Sequence, residues 1–127
     1  MGATMKLVVN TLLGTGMQAL AEAITLGEKA GIEKGLLLAV LGQTAVLTPG
    51  QKAKLDDVSQ ERYPTAFALS LMDKDLALIE QLAGSVSVSM PVTAAAHQVS
   101  TAALAREGDA DFSIVIKFME ERAGLTA

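Results

Sequence analysis

The 127 residues contain no cysteine and no tryptophan, one histidine (His97), and so few aromatics that three phenylalanines and one tyrosine make up the whole 3%. Without cysteine there is neither a disulfide framework nor a thiolate metal site. With one histidine, a zinc centre would need carboxylates or a second chain to complete it, so no metal is expected. Positive charge is also scarce. Ten Lys and Arg against fourteen Asp and Glu give a net charge of −4, the wrong sign for gripping a phosphate backbone, so nucleic acid is not an expected partner. Long apolar runs are missing too. Of the longest charge-free stretches, Leu7 to Ala21 is too short for a membrane span, and Gln81 to Ala105 is broken by serines, Pro91, His97 and Gln98. Met1 to Met5 does not have the pattern of a signal peptide, so none is expected. The chain is therefore expected to be cytoplasmic, with no membrane partner.

Half of the residues are nevertheless hydrophobic, which excludes a disordered chain. The apolar mass is Ala, Leu, Val, Ile and Met, and that mixture favours helix over sheet. At this length one domain is expected. The pattern along the chain predicts six helices and no sheet. The first runs from Thr4 to Ala30, apolar on most of its circumference and thus expected to be buried on nearly all sides, and it ends at Gly31. The second runs from Glu33 to Leu41 and the third from Pro49 to Val58, followed by a loop over Ser59 to Pro64. The fourth is amphipathic from Ala66 to Leu82, with Phe67, Leu71, Leu78 and Leu82 on related faces, Asp73, Lys74, Asp75 and Glu80 elsewhere, and Gly84 as its stop. Ser85 to Ser89 reads as an extended connector. Pro91 opens the fifth helix, Val92 to Arg106, and Asp109 or Asp111 caps the last, Phe112 to Arg122.

Lys6 and Asn10 are four residues apart and share one face of the first helix. Lys6 is the only charge in the first 21 residues. Among apolar neighbours its ammonium either snorkels to water or lines a cavity, where desolvation would lower its pKa and make it a proton donor near neutrality. Lys74, between Asp73 and Asp75, has the pattern of a solvated helix face, as have most of the alternating charges, including Lys54 near Asp56 and Asp57. Gly14-Thr15-Gly16 lies inside a helix, so it is not a phosphate loop; small residues there let another helix approach. His97 has no carboxylate or serine at a telling spacing and reads as a packed, hydrogen-bonded residue, and the six methionines read as core filler.

Four blocks go beyond pattern. Gly2-Ala3-Thr4-Met5-Lys6-Leu7-Val8-Val9-Asn10 with Gly27-Glu28-Lys29-Ala30-Gly31-Ile32 resembles the opening of the C-terminal helical domain of the β-hydroxyacid dehydrogenases. This is the 3-hydroxyisobutyrate dehydrogenase family, related to 6-phosphogluconate dehydrogenase. Pro64, Phe67 and Lys74-Asp75-Leu76 resemble its next block, Met90-Pro91-Val92-Thr93 its proline-led helix, and Gly108-Asp109-Ala110-Asp111-Phe112-Ser113 its closing motif. The resemblance implies an all-α, 6-phosphogluconate dehydrogenase C-terminal-like domain that binds substrate and dimerises. It further implies that Lys6 is the catalytic lysine, that Asn10 binds substrate, and that Lys74 and Phe67 lie at the NAD or NADP cofactor.

In that family the nicotinamide cofactor sits mainly on an N-terminal Rossmann domain, whose βαβ fingerprint does not occur in these residues. The chain is therefore expected to span a C-terminal domain only, residues 1–127, and to be inactive alone. The implied partners are a small carboxylate-bearing hydroxyacid or semialdehyde and further copies of the chain, as a homodimer or higher homo-oligomer. An imine-reductase-like relative would usually replace Lys6, and a non-catalytic helical oligomerisation module would not need Lys6, Asn10 and Lys74 together.

Overall fold

The first helix, α1 (Gly2–Lys29), runs 28 residues without proline, with Leu and Ala prominent among them. The other elements of the computed structural model, which describes residues 2–125, are wrapped on one side of it. They are α2 (Lys34–Gly42), α3 (Pro49–Ser59), α4 (Leu69–Ser85), α5 (Pro91–Glu107), a 3-10 turn (Phe112–Ile114) and α6 (Val115–Arg122). The all-α expectation is met: there are six α-helices and no strand among the described residues, only a single antiparallel bridge between Ala68 and Asp111.

Local chemistry sets most of the ends. α1 stops where Gly31 takes φ 105°, and the Ile32 amide returns to the Gly27 carbonyl at 3.0 Å. Glu33 caps α2 by accepting the amides of Gly35 and Leu36, each at 2.8 Å. Thr48 and Gln51 form a reciprocal capping box on α3, with Pro49 in its first turn. Three boundaries differ from the sequence expectation. Phe67 and Leu69 are tied to the segment before the 3-10 turn, so α4 begins at Leu69 rather than Ala66. Gly84 does not stop α4, which continues to Ser85 and breaks where Ser87 adopts φ 59°. The last helix opens with the 3-10 turn, capped by Asp111 through the Ser113 amide.

Ile24, Leu69, Leu76 and Ile116 have almost no accessible surface and centre the core. Each such side chain contributes about 1.5–3 kcal/mol of burial free energy. Gly14 lets α4 cross α1 closely, since a Cβ there would stand 2.9 Å from Met72 Sδ and 3.1 Å from Leu76 Cδ2. This matches the expected role of the small residues. The expectation that α1 is buried on nearly all sides is wrong. Met5, Val8, Val9, Leu12, Leu13 and Leu26 are exposed, Leu12 by 74%, because the helices of this chain cover only one side. By length and composition α1 would also suffice to cross a bilayer, but here it is the strut on which α2, α4, α5 and α6 pack.

The apolar face assigned to α4 is also corrected. Leu71 and Leu78 are exposed, and the buried face carries Leu69, Met72, Asp75, Leu76, Ile79 and Ala83.

At the far end of α1, Glu28 faces Glu120 of α6, which pairs with Lys34 at 2.9 Å. Burial, then the hydrogen-bonded Glu120 carboxyl, push Glu28 up from 4.5 to about 7, with Glu61 adding to the effect and Lys34 opposing it. A proton held by the folded state makes this contribution to stability complete below about 4.5 and lost as pH rises through about 7. The slope of melting temperature against pH across that window is expected to become more positive in Glu28→Gln than in wild type, measured by thermal denaturation.

Candidate functional site

Helical spacing places Lys6, Asn10, Leu13 and Met17 along one stripe of α1. At its N-terminal end Lys6 is exposed, and none of the ion pairs among the described residues involves it. Of the two alternatives for this lysine, the solvated one describes the domain by itself. One turn on, Asn10 is only 8% exposed. Its Nδ2 donates to Asp75 Oδ2 at 2.8 Å, joining α1 to α4 through two buried polar side chains. Asp75 is the residue that sequence reasoning missed: its place between Lys74 and Leu76 looked like solvated surface. The signal available was its place as the aspartate of the Lys74-Asp75-Leu76 block. Lys74 is exposed on α4 beside it.

Below Asn10 the stripe becomes the wall of an apolar cavity of about 420 Å³, to which Val9, Leu13 and Met17 contribute from α1. Phe67 and Phe112 line it as well, their ring centroids 5.6 Å apart, and Gln51 and Lys54 come from α3. Of the expected site residues only Phe67 lines this cavity; Lys6, Asn10 and Lys74 are not among its walls.

Phe67 lies outside regular secondary structure, and Asp111 holds it there. This carboxylate has no solvent exposure and accepts five hydrogen bonds, from the amides of Ala66, Phe67 and Ser113, the Ser113 hydroxyl and the Lys54 ammonium. Burial pushes its pKa up, but the Lys54, Phe67, Ser113 and Ala66 donors together hold it below the ordinary 3.8. Lys54 was grouped with the solvated charges. It instead spans 2.8 Å to Asp111, with its ammonium 5.7 Å from the Phe112 ring centroid.

His97 is half-buried and hydrogen-bonded, as expected of a packed residue. Its partners arrive from α4: Nδ1 is 2.6 Å from Glu80 and Nε2 is 3.6 Å from Asp73. No cluster of metal-ligating side chains occurs among the described residues.

These features define a class: an all-helical domain with a cation, a buried amide-carboxylate pair and an aromatic-walled apolar cavity along one uncovered helix. The family model for NAD-binding of NADP-dependent 3-hydroxyisobutyrate dehydrogenase matches residues 1–119, and the chain belongs to that family. It is 40% identical over 120 residues to glyoxylate/succinic semialdehyde reductase 2, chloroplastic, of Arabidopsis thaliana, covering 94% of this chain and 34% of that protein. It is 32% identical over 127 residues to 2-(hydroxymethyl)glutarate dehydrogenase of Eubacterium barkeri, covering 98% of this chain and 42% of that one. The crystal structure of 3-hydroxyisobutyrate dehydrogenase from Salmonella typhimurium superposes with a TM-score of 0.85 at 27% identity, over 92% of this chain and 41% of the other. The chain thus spans well under half the length of these relatives.

Removing the Asn10 amide leaves a buried carboxylate without its donor. Asn10→Ala is expected to destabilise the domain by about 1–3 kcal/mol in urea denaturation. Asp75→Ala should cost less once Asn10 is already Ala, which a double-mutant cycle measures.

Proposed function

We propose that the chain is the C-terminal, substrate-side domain of an NAD(P)-dependent 3-hydroxyacid dehydrogenase or semialdehyde reductase. Lys6 is its proton-transfer group, Asn10 its substrate-binding amide, and Phe67 and Lys74 its contribution to the cofactor side. The observation that carries this reading is the stripe on α1, where an exposed, unpaired Lys6 stands one turn above a buried Asn10 and an apolar cavity walled by Phe67.

The cavity tests the fit of a nicotinamide nucleotide. Its walls are mostly apolar and include two phenylalanine rings, suited to a planar ring, so Phe67 would meet the nicotinamide end of the cofactor. When bound, that group supplies or takes up the hydride. As a carbonyl is reduced, charge builds on its oxygen, and the Lys6 ammonium at hydrogen-bond distance would stabilise that charge and deliver the proton. In the oxidative direction the neutral amine would take the hydroxyl proton. Asp75 holds the Asn10 amide in one orientation, so that amide is preorganised rather than free to rotate. The substrate's carboxylate accounts for uncovered lysines at this end of an acidic domain.

In the full-length protein, Lys6→Ala is expected to lower kcat at least about 10²-fold in reduction of glyoxylate or succinic semialdehyde. The 127-residue chain alone should give no turnover of NADH or NADPH. A Lys6→Ala enzyme of undiminished rate would instead favour a non-catalytic helical module.

The homo-oligomer is part of the same proposal. Met5, Val8, Leu12, Ala19 and Leu26, spaced three, four, seven and seven residues apart, fall on one exposed stripe of α1 as in a helix-pairing seam, and Leu12 also borders the cavity. Leu26→Asp is expected to shift the protein toward monomer in analytical ultracentrifugation while its helical circular dichroism is retained.

A further inference from the structure

The Lys54–Asp111 pair is more than the core requires. A buried ion pair gains little over a well-packed apolar pair, because both charges must leave water. Here the pair sits at a cavity wall, and two of the five donors that Asp111 gathers, the Ala66 and Phe67 amides, fix the placement of one neighbouring segment. Asp111 Oδ1 receives the Ala66 amide at 2.9 Å and the Phe67 amide at 3.0 Å. Its Oδ2 receives Lys54 from α3 at 2.8 Å and both the amide and hydroxyl of Ser113. The Phe112 amide returns to the Phe67 carbonyl at 2.8 Å, closing the loop between the two aromatic residues. Phe67 thus belongs to no helix, yet its backbone is fixed on both sides of the ring-bearing carbon. The counter-charge that keeps Asp111 ionised is itself a cavity residue.

We propose that the Lys54–Asp111 pair is a positioning device for Phe67, setting the height and tilt of that ring in the cavity and so the affinity for the flat nicotinamide end of a dinucleotide. Lys54 and Asp111 act through Phe67 and need not touch the ligand themselves. This rests on the reading above that Phe67 flanks the nicotinamide.

The test uses the full-length protein, titrated with NADH and with NADPH by the change in nucleotide fluorescence, alongside steady-state kinetics and hydrogen exchange at the Phe67 amide. Lys54→Met keeps an unbranched aliphatic side chain and removes the ammonium that lies near the Phe112 ring. It is expected to raise the nucleotide Kd and KM about three- to tenfold, with a smaller fall in kcat, and to speed exchange at Phe67. Lys54→Arg should restore binding. In a Phe67→Leu background, Lys54→Met should add little further loss, because the residue it positions is already gone. If Lys54→Met does not fold, Lys54→Gln carries the same comparison, since it keeps a donor for Asp111. A Lys54 variant that melts lower but leaves Kd, KM and Phe67 exchange unchanged overturns the proposal, as does full additivity with Phe67→Leu. A wild-type protein that binds neither nucleotide sinks the parent reading instead. A dead Lys6→Ala beside a Lys54→Met enzyme of wild-type affinity sinks only the positioning role.

Discussion

The organisation of this domain follows from how α1 is covered. Five shorter helices cannot enclose 28 helical residues, so they gather on the side bearing Gly14, Met17, Ala21 and Ile24. The close crossing at Gly14 makes that side self-consistent: with no side chain in the way, α4 approaches until Met72 and Leu76 pack against the α1 backbone. At that separation Asp75 reaches Asn10. What remains of α1 is open, and the open part includes Lys6 and the Val9, Leu12 and Leu13 portion of the cavity wall. One packing constraint therefore both builds the core and leaves the proposed reactive face free.

Polar groups inside the domain fix details that the apolar core leaves loose. Leu and Met side chains would tolerate α4 sliding by a fraction of a turn, but a buried amide facing a carboxylate at 2.8 Å would not, because a slip strands both groups without partners. Asp111 does the same for the irregular segment before α4. Its five acceptor contacts tie α3, the Phe67 segment and the 3-10 turn to one fully buried point. Satisfied in full, such a cluster gives a unique arrangement; satisfied in part, it would cost more than an apolar substitute. The carboxyl pair of Glu28 and Glu120 is the less complete case, and it answers with a raised pKa rather than with a second cation.

Much of this was legible in the residues. The helical class, the Gly31 stop, the Pro49 and Pro91 starts and the Asp111 cap are local chemistry, and all appear where their signals lie. The co-facial placement of Lys6 and Asn10 is likewise a matter of helical spacing. The phase of α4 was not legible. Phe67, Leu71 and Leu78 look like one apolar face until Asn10 is known to supply a partner that makes Asp75 the buried residue. Lys54 failed in the same way, because a lysine near two aspartates on a short polar helix carries no trace of a carboxylate far along the chain. The roles given to Lys6, Asn10, Phe67 and Lys74 came from family resemblance; pattern alone left Lys6 open between a solvated and a cavity-lining state.

By itself, the sequence determined an acidic, cysteine-free, all-helical chain with its caps and its Lys6–Asn10 stripe, because those depend on composition and on residues within a turn of one another. Only the tertiary structure decided which side of α1 stays uncovered, that Asp75 and Lys54 turn inward, and that Phe67 lines the cavity beside α1. The contacts responsible join residues 65, 57 and 44 positions apart, Asn10 with Asp75, Lys54 with Asp111 and Phe67 with Asp111. No local periodicity encodes a pairing across such distances. It exists only once the helices have packed and each buried polar group has found the one partner within reach.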